Sequence, residues 1–306
     1  MAADTSVPAA TGLLCALLSA LCFSLKAIFV KRAYAYGVDP ITLLAMRMLF
    51  ALPFFIAMAV YESRRAASPL RGRDWFDLTL LGFFGYYAAS YLDFLGLQYI
   101  SAALERVLLF TYPAIVVLLL ALSQGRAPEK RVLAALALSY TGVALAVLHD
   151  ARAGGANLPL GAALVFGSSL SFAVYLLRCG EVLRRLGATR VTAIATGTAC
   201  LMVNLQFALQ RPVYSLVAQP WPVHAYSLAM ALFCTVLPIW LSSVAIRRLG
   251  AGRVAIVSSL GPIMTLLLAA LLLGEKLSVA MIAGAALVIL GVRLISQGAA
   301  APAARA

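Results

Sequence analysis

Ten segments of this chain, each about twenty residues long and poor in charge, follow one another with short connections: 12–30, 41–60, 78–97, 102–122, 131–148, 160–178, 191–209, 226–246, 252–272 and 278–296. At 1.5 Å of rise per residue, about twenty apolar residues cross the ~30 Å hydrocarbon core of a bilayer as a helix. Soluble domains are about half apolar and a quarter charged. Here 63% of the 306 residues are hydrophobic and 11% are charged, so the surplus apolar surface needs lipid. The expected fold is an all-α integral membrane protein with ten transmembrane helices. Its connections, punctuated by Gly, Pro and charge, leave no room for a soluble domain.

The net charge of +13 fits basic loops on one membrane face better than a nucleic-acid surface, because no basic stripe with interleaved aromatics accompanies it. Counted on alternate loops, sixteen basic residues fall on one side, among them Arg64, Arg65, Arg126, Arg184, Arg185, Arg247, Arg248 and Arg305. Five fall on the other: Lys31, Arg32, Arg152, Arg211 and Lys276. That asymmetry predicts a multi-pass protein with both termini in the cytoplasm. Lys31 and Arg32, directly after the first span, are the one local signal against it. The first eleven residues carry no Lys or Arg, so the first apolar run is expected to stay as a helix and not leave as a cleaved leader. The five cysteines lie in apolar runs without CxxC spacing, which points to buried apolar side chains and to neither a disulfide framework nor a metal site.

The chain is written twice. An ungapped shift of 149 residues places Gly12 on Gly161, Ser19 on Ser168, Pro113 on Pro262, Gly125 on Gly274 and Gly142 on Gly291. Composition alone gives fewer than about one Gly–Gly match at a given shift, and three occur. The copies run over 11–149 and 158–297, leaving 298–306 as a disordered cytoplasmic tail. Five spans per copy is an odd number, so the second copy enters the membrane from the opposite face. Inverted repeats of this kind recur in secondary transporters, with the substrate near the midplane between halves.

The segments "LGLQYISAALERVLLFTYPAIVVLLLAL" and "RRLGAGRVAIVSSLGPIMTLLLAALLLGEKLSVAMIAGAALVILGV" resemble the last helices of the two EamA repeats of the drug/metabolite transporter superfamily. "KAIFVKRAYAYGVDPITLLAMRMLFALPFF" is similar to the first two helices of bacterial members. The resemblance covers nearly the whole chain and implies a ten-helix carrier of a bacterial inner membrane with cytoplasmic ends, of a kind that often exports amino acids, related metabolites or drugs. One departure stands out: Glu275, in "LGE", has no acidic counterpart in the first copy, where Gly125 is followed by Arg126.

Lys26, Arg47, Asp93, Glu105 and Arg106 interrupt apolar runs of the first copy, and the second copy has none at comparable depth. Placed on the expected topology, all five fall about 5–10 Å to the outer side of the midplane. A charge at membrane depth costs roughly 2.5–3.5 kcal/mol on insertion scales, so such groups face the bundle interior and pair. Three cations against two acids leave one cation over. Two readings stand. Either the layer borders the transport cavity, the spare cation drawing a carboxylate-bearing or zwitterionic solute and an acid carrying a coupling proton, or it is an ion-pair network locking helices together. Tyr86, two turns from Asp93, offers the pathway a ring and a hydroxyl. Gly82, Gly85, Ala89, Asp93 and Gly96 form a stripe that can pack tightly or line a cavity. Pro113 and Pro262 each remove a backbone hydrogen bond, freeing the carbonyls of Leu109 and Ser258 and predicting symmetric kinks along the pathway.

Only His149 and His224 are present, with neither HExxH nor GxSxG, so no catalytic residue, metal site or cofactor is expected. A channel would need a ring of like charges or a carbonyl filter, and neither is visible. The alternative function is export of a hydrophobic drug or lipid-like solute, held by aromatics such as Tyr87, Tyr91, Tyr175 and Trp240. Partners are thus a small solute and membrane lipid.

Overall fold

The computed structural model describes residues 9–66, 68–125, 130–152, 157–276 and 278–299, and these contain helices and turns with no β-strand. The first copy comprises α1 (Ala9–Tyr34), α2 (Pro40–Arg65), α3 (Gly72–Gly82), α4 (Ala89–Gly96), α5 (Ala102–Leu109), α6 (Tyr112–Ser123) and α7 (Lys130–Arg152). The second comprises α8 (Leu158–Leu186), α9 (Ala188–Gln210), the short α10 (Tyr214–Val217), α11 (Trp221–Ala231), α12 (Leu237–Leu249), α13 (Ala251–Ser258), α14 (Gly261–Leu268) and α15 (Val279–Ala299). Single π-helical turns join α3 to α4 (Phe83–Ala88) and α11 to α12 (Leu232–Val236), and a third (Ala269–Leu273) ends α14. Arg126, Arg305 and residues 300–306 lie outside the described residues.

Among the described residues, six helices are long and apolar enough to cross a bilayer: Ala10–Tyr34, Pro40–Arg65, Ala102–Ser123, Leu158–Leu186, Ala188–Gln210 and Trp221–Leu249. Val132–Leu148, Gly261–Leu273 and Val279–Leu294 are shorter apolar helices. Helix ends follow local chemistry. Asp39 caps α2 by accepting from Thr42 N at 3.2 Å, and Pro40 occupies the first turn, where its missing N–H costs nothing. Gly187 and Gly250 each form a one-residue junction between helices at φ 86° and 82°, a left-handed backbone that glycine adopts without steric penalty.

The sequence repeat is a repeat of contacts. Gly12 sits against Arg248 and Leu249, and its counterpart Gly161 against Tyr99 and Ile100; the 149-residue shift converts one set into the other. Ser19 Oγ donates to Pro238 O at 2.9 Å, and Ser168 Oγ to Ala89 O at 2.7 Å, again exchanged by the shift. Gly142 lies against Gly284 and Gly291 against Ala135, which makes the seam between α7 and α15 a self-paired one. Even the irregularities match. The π turns begin at Phe83 and Leu232, and the breaks between α5 and α6 and between α13 and α14 fall at Phe110–Thr111 and Ser259–Leu260. These pairs place α1 against α11 to α14 and α8 against α3 to α6, with α2 against α9.

The chemistry of matched contacts has diverged. Arg185 on α8 pairs with Asp74 at 3.0 Å and Asp77 at 2.7 Å, both on α3. The equivalent contact at the other end of the bundle is Tyr36 beside Tyr226, ring centres 6.3 Å apart.

Candidate functional site in the charged layer

Helices α1, α2, α4 and α5 bring the five charged side chains of the first copy into one layer. Lys26 reaches across from α1, its Nζ 2.5 Å from Asp93 Oδ2 and 3.0 Å from Glu105 Oε1. Asp93 is 2% exposed and Glu105 fully buried, and Asp93 Oδ1 and Glu105 Oε2 have no hydrogen-bond partner. One ammonium therefore serves two carboxylates in a setting where unpaired charge is costly.

The two arginines are held differently. Arg47, only 7% exposed, donates through Nε to Thr235 Oγ1 at 3.1 Å and lies 5.4 Å from the centre of the Phe94 ring. Its Nη1 is buried without a partner. Arg106 donates through Nε to Thr265 Oγ1 at 3.0 Å and through Nη2 to Phe23 O at 2.6 Å. Among the described residues neither guanidinium has a carboxylate within ion-pair distance. The charges come from the first copy and the two threonines from the second.

Beside this layer lies a cavity of about 230 Å³. Lys26, Arg47, Asp93 and Arg106 form its charged wall, Ser90, Ser168 and Ser169 its hydroxyl groups, and Phe23, Phe110, Tyr112 and Phe172 its aromatic side. The break before Pro113 borders it through Leu109, Phe110 and Tyr112. At the break, Leu108 O accepts from Thr111 N at 3.1 Å and Thr111 Oγ1 at 2.7 Å, while Ser169 Oγ of the other copy lies 3.0 Å from Leu108 O and 3.3 Å from Leu109 O, the carbonyl that Pro113 frees. Pro262 is buried and not on the wall, although the two breaks approach each other: a methyl group on Gly261 would meet Phe110 Cζ at 3.4 Å.

A model of the EamA-like transporter family matches the chain twice, over residues 10–148 and 159–297. The chain belongs to the EamA-like transporter family. An uncharacterized transporter of Bacillus subtilis (strain 168), YcbK, is 31% identical to it over 285 residues, covering 90% of this chain and 89% of the relative. An uncharacterized transporter of Archaeoglobus fulgidus is 28% identical over 239 residues, covering 78% of this chain and 81% of the relative. A solved structure described only as the crystal structure of a protein superposes with a TM-score of 0.60 at 18% identity, covering 93% of this chain and 96% of the other. That likeness shows the fold. The family places this EamA-like chain among membrane transporters, which is not an enzyme class.

Not every aromatic expected along the pathway of this EamA-like protein reaches the cavity. Tyr86 and Tyr175 pack on each other behind Phe172, hydroxyl oxygens 3.4 Å apart and ring centres 5.5 Å apart. The π turn over Phe83–Ala88 widens the helix between Tyr86 and Asp93, so the two-turn spacing no longer sets both on one side. Trp240 is 60% exposed on the outside of the bundle, away from the cavity wall. In the small-residue stripe, Gly82 meets Ala195 and Thr198, Gly85 meets Tyr175 and Gly96 meets Val165, while Ala89 and Asp93 line the cavity. Sequence reasoning missed Thr235, Thr265, Ser168 and Ser169. The match between Ser19 and Ser168 pointed to one of the four, and a hydroxyl in an apolar helix is too common to mark the others.

Proposed function

We propose that this EamA-like chain is a ten-span secondary transporter of the bacterial inner membrane. Its repeats enter from opposite faces, both termini are cytoplasmic, and it exports a small carboxylate-bearing or zwitterionic metabolite by alternating access. The observation that carries the cargo class is Arg47, a buried guanidinium on the cavity wall with one nitrogen unpartnered. An arginine so placed matches a carboxylate in charge and in bidentate geometry. Asp93 and Lys26 on the same wall suit the ammonium and carboxylate of a zwitterion. The aromatic side accepts an apolar substituent. Drug-sized ligands occupy pockets of about 300–1,000 Å³, so a cavity of about 230 Å³ favours a metabolite of amino-acid size over the hydrophobic-drug reading.

Contacts exchanged between copies support alternating access, because each packing arrangement at one end of the bundle has a counterpart at the other. Export is the direction the family resemblance implies, with Asp93 or Glu105 as carrier of a coupling proton. The test is uptake by reconstituted protein, with and without a pH gradient, across amino acids, other carboxylates and amphipathic cations. Carboxylate-bearing solutes should be transported, and Arg47→Gln and Asp93→Asn should lose at least tenfold in rate. Competition by amphipathic cations alone would transfer the case to the drug reading. Tags beside Arg152 and Arg185 should report opposite faces of the cell; the same face for both would remove the inverted insertion.

A further inference from the structure

Glu275 follows the last turn of the Ala269–Leu273 segment, yet its side chain serves the other copy. Oε1 accepts from Ala102 N at 2.9 Å and Oε2 from Ala103 N at 3.2 Å, the first two amides of α5. The neighbouring donors are met by Asp150 at the end of α7, whose oxygens accept from Ser101 N and Ser101 Oγ, each at 3.0 Å. Ser101 Oγ then accepts from Leu104 N at 3.0 Å. Arg32 at the end of α1 donates to Leu272 O. Four elements therefore meet at the start of α5, the helix that carries Glu105 and Arg106. Glu275 joins the second copy to the first here, as Asp74 and Asp77 join the first to Arg185 of the second.

The 149-residue shift shows what the opposite end has instead. The counterparts of Glu275, Ser101 and Asp150 are Arg126, Gly250 and Ala299, and those of Lys31 and Arg32 are Gly180 and Glu181. The charges recur with their signs exchanged, Arg126 standing for Glu275 and Glu181 for Arg32, and the hydroxyl of Ser101 has no counterpart. A frame whose packing is two-fold thus carries different polar closures at its ends, with Arg185 joined to Asp74 and Asp77 at the other.

We infer that Glu275 is a positioning residue that clasps the outer mouth of the cavity shut. The inference rests on the proposed alternating access. Opening the outer mouth separates α5 from the end of α14 and leaves the amides of Ala102 and Ala103 without the carboxylate.

Cys234 on the cavity wall is a native reporter. In protein with Cys15, Cys22, Cys179 and Cys200 replaced by alanine, a membrane-impermeant methanethiosulfonate added outside right-side-out vesicles should label Cys234 slowly. Glu275→Ala, which removes both acceptors, should raise the outside rate about tenfold or more, since a buried amide stripped of its partner bears its full desolvation cost. Glu275→Gln keeps one acceptor and should fall between. Should the alanine variant not insert, the glutamine variant decides alone, by a severalfold rise or none. Parent-like outside labelling in an inserted variant whose Cys234 reacts fully after denaturation would overturn the clasp. The readout involves no cargo, so normal clasp behaviour with no carboxylate transport would refute only the cargo assignment.

Discussion

Replacing Arg47 by methionine should stabilise the empty protein and abolish its transport. Burying a lone cation costs several kcal/mol after relaxation, and Arg47 is 7% exposed with no carboxylate partner among the described residues. Two contacts offset that cost. The hydrogen bond to Thr235 contributes roughly 1.5–3 kcal/mol as a charged bond, and the Phe94 ring roughly 0.5–2 kcal/mol. Methionine, unbranched and of similar reach, removes the desolvation cost together with both compensations. Thr235 keeps a partner, since its Oγ1 donates to Met230 O at 3.0 Å. Apolar replacement of buried charge elsewhere gains roughly 1–4 kcal/mol, so a gain of about 1–3 kcal/mol is expected for Arg47→Met. The assay is thermal unfolding in nanodiscs, alone and with a series of amino acids and other carboxylates, alongside transport in vesicles. Wild-type protein should gain stability from its cargo by linkage. Arg47→Met should start higher and gain nothing. A variant several degrees less stable than wild type that still transports would refute the claim that Arg47 is held for cargo.

Two further outcomes follow from the geometry. Lys26→Met strands two buried carboxylates and should cost about 3–5 kcal/mol, with much of the loss recovered in the double variant Lys26→Met/Asp93→Asn; a double-mutant cycle with no coupling would show that the 2.5 Å contact contributes nothing to stability. Gly142→Ala sets a methyl 2.4 Å from Gly284 O, and Gly291→Ala sets one 2.3 Å from Ser139 Oγ. Each should lower stability by about 1–3 kcal/mol through forced separation of α7 and α15, read as a lower unfolding temperature, whereas Gly180→Ala, with nothing within 4 Å, should leave it unchanged.

The bundle was legible because lipid leaves so few options. Apolar length gave an all-helical bundle, of which six helices among the described residues are long enough to cross a bilayer, and the 149-residue shift gave a pairing that Gly12, Ser19, Gly142 and their counterparts express as contacts. The charged layer was legible for the same reason, since five ionisable groups in apolar helices must gather or face water. Partner choice was not. A helical wheel cannot show that Lys26 takes both acids while the arginines take threonines from the other copy, because that depends on how copies pack at ångström scale. The Tyr86 position failed through the π turn, which inserts a widened turn that no local composition announces. Trp240 was ambiguous in principle, because a tryptophan in a span suits a cavity and a lipid-facing surface equally well.

Duplicated packing with unduplicated chemistry has a mechanistic consequence. If both copies carried the charged layer and both mouths the Glu275 clasp, the two facing states would be related by symmetry and nearly equal in energy. In this chain the charges belong to one copy, the threonine partners of its arginines to the other, and the acid clasp to one end. On the proposed alternating access, the bonds from Arg47 to Thr235 and from Arg106 to Thr265, each joining one copy to the other, are contacts that a motion between copies can break. A carboxylate entering beside the unpartnered Nη1 of Arg47 competes for that guanidinium at the contact that ties the copies together. On the proposed function, cargo binding and the release of an inter-copy bond would fall on a single side chain, which would couple occupancy to movement without a separate relay.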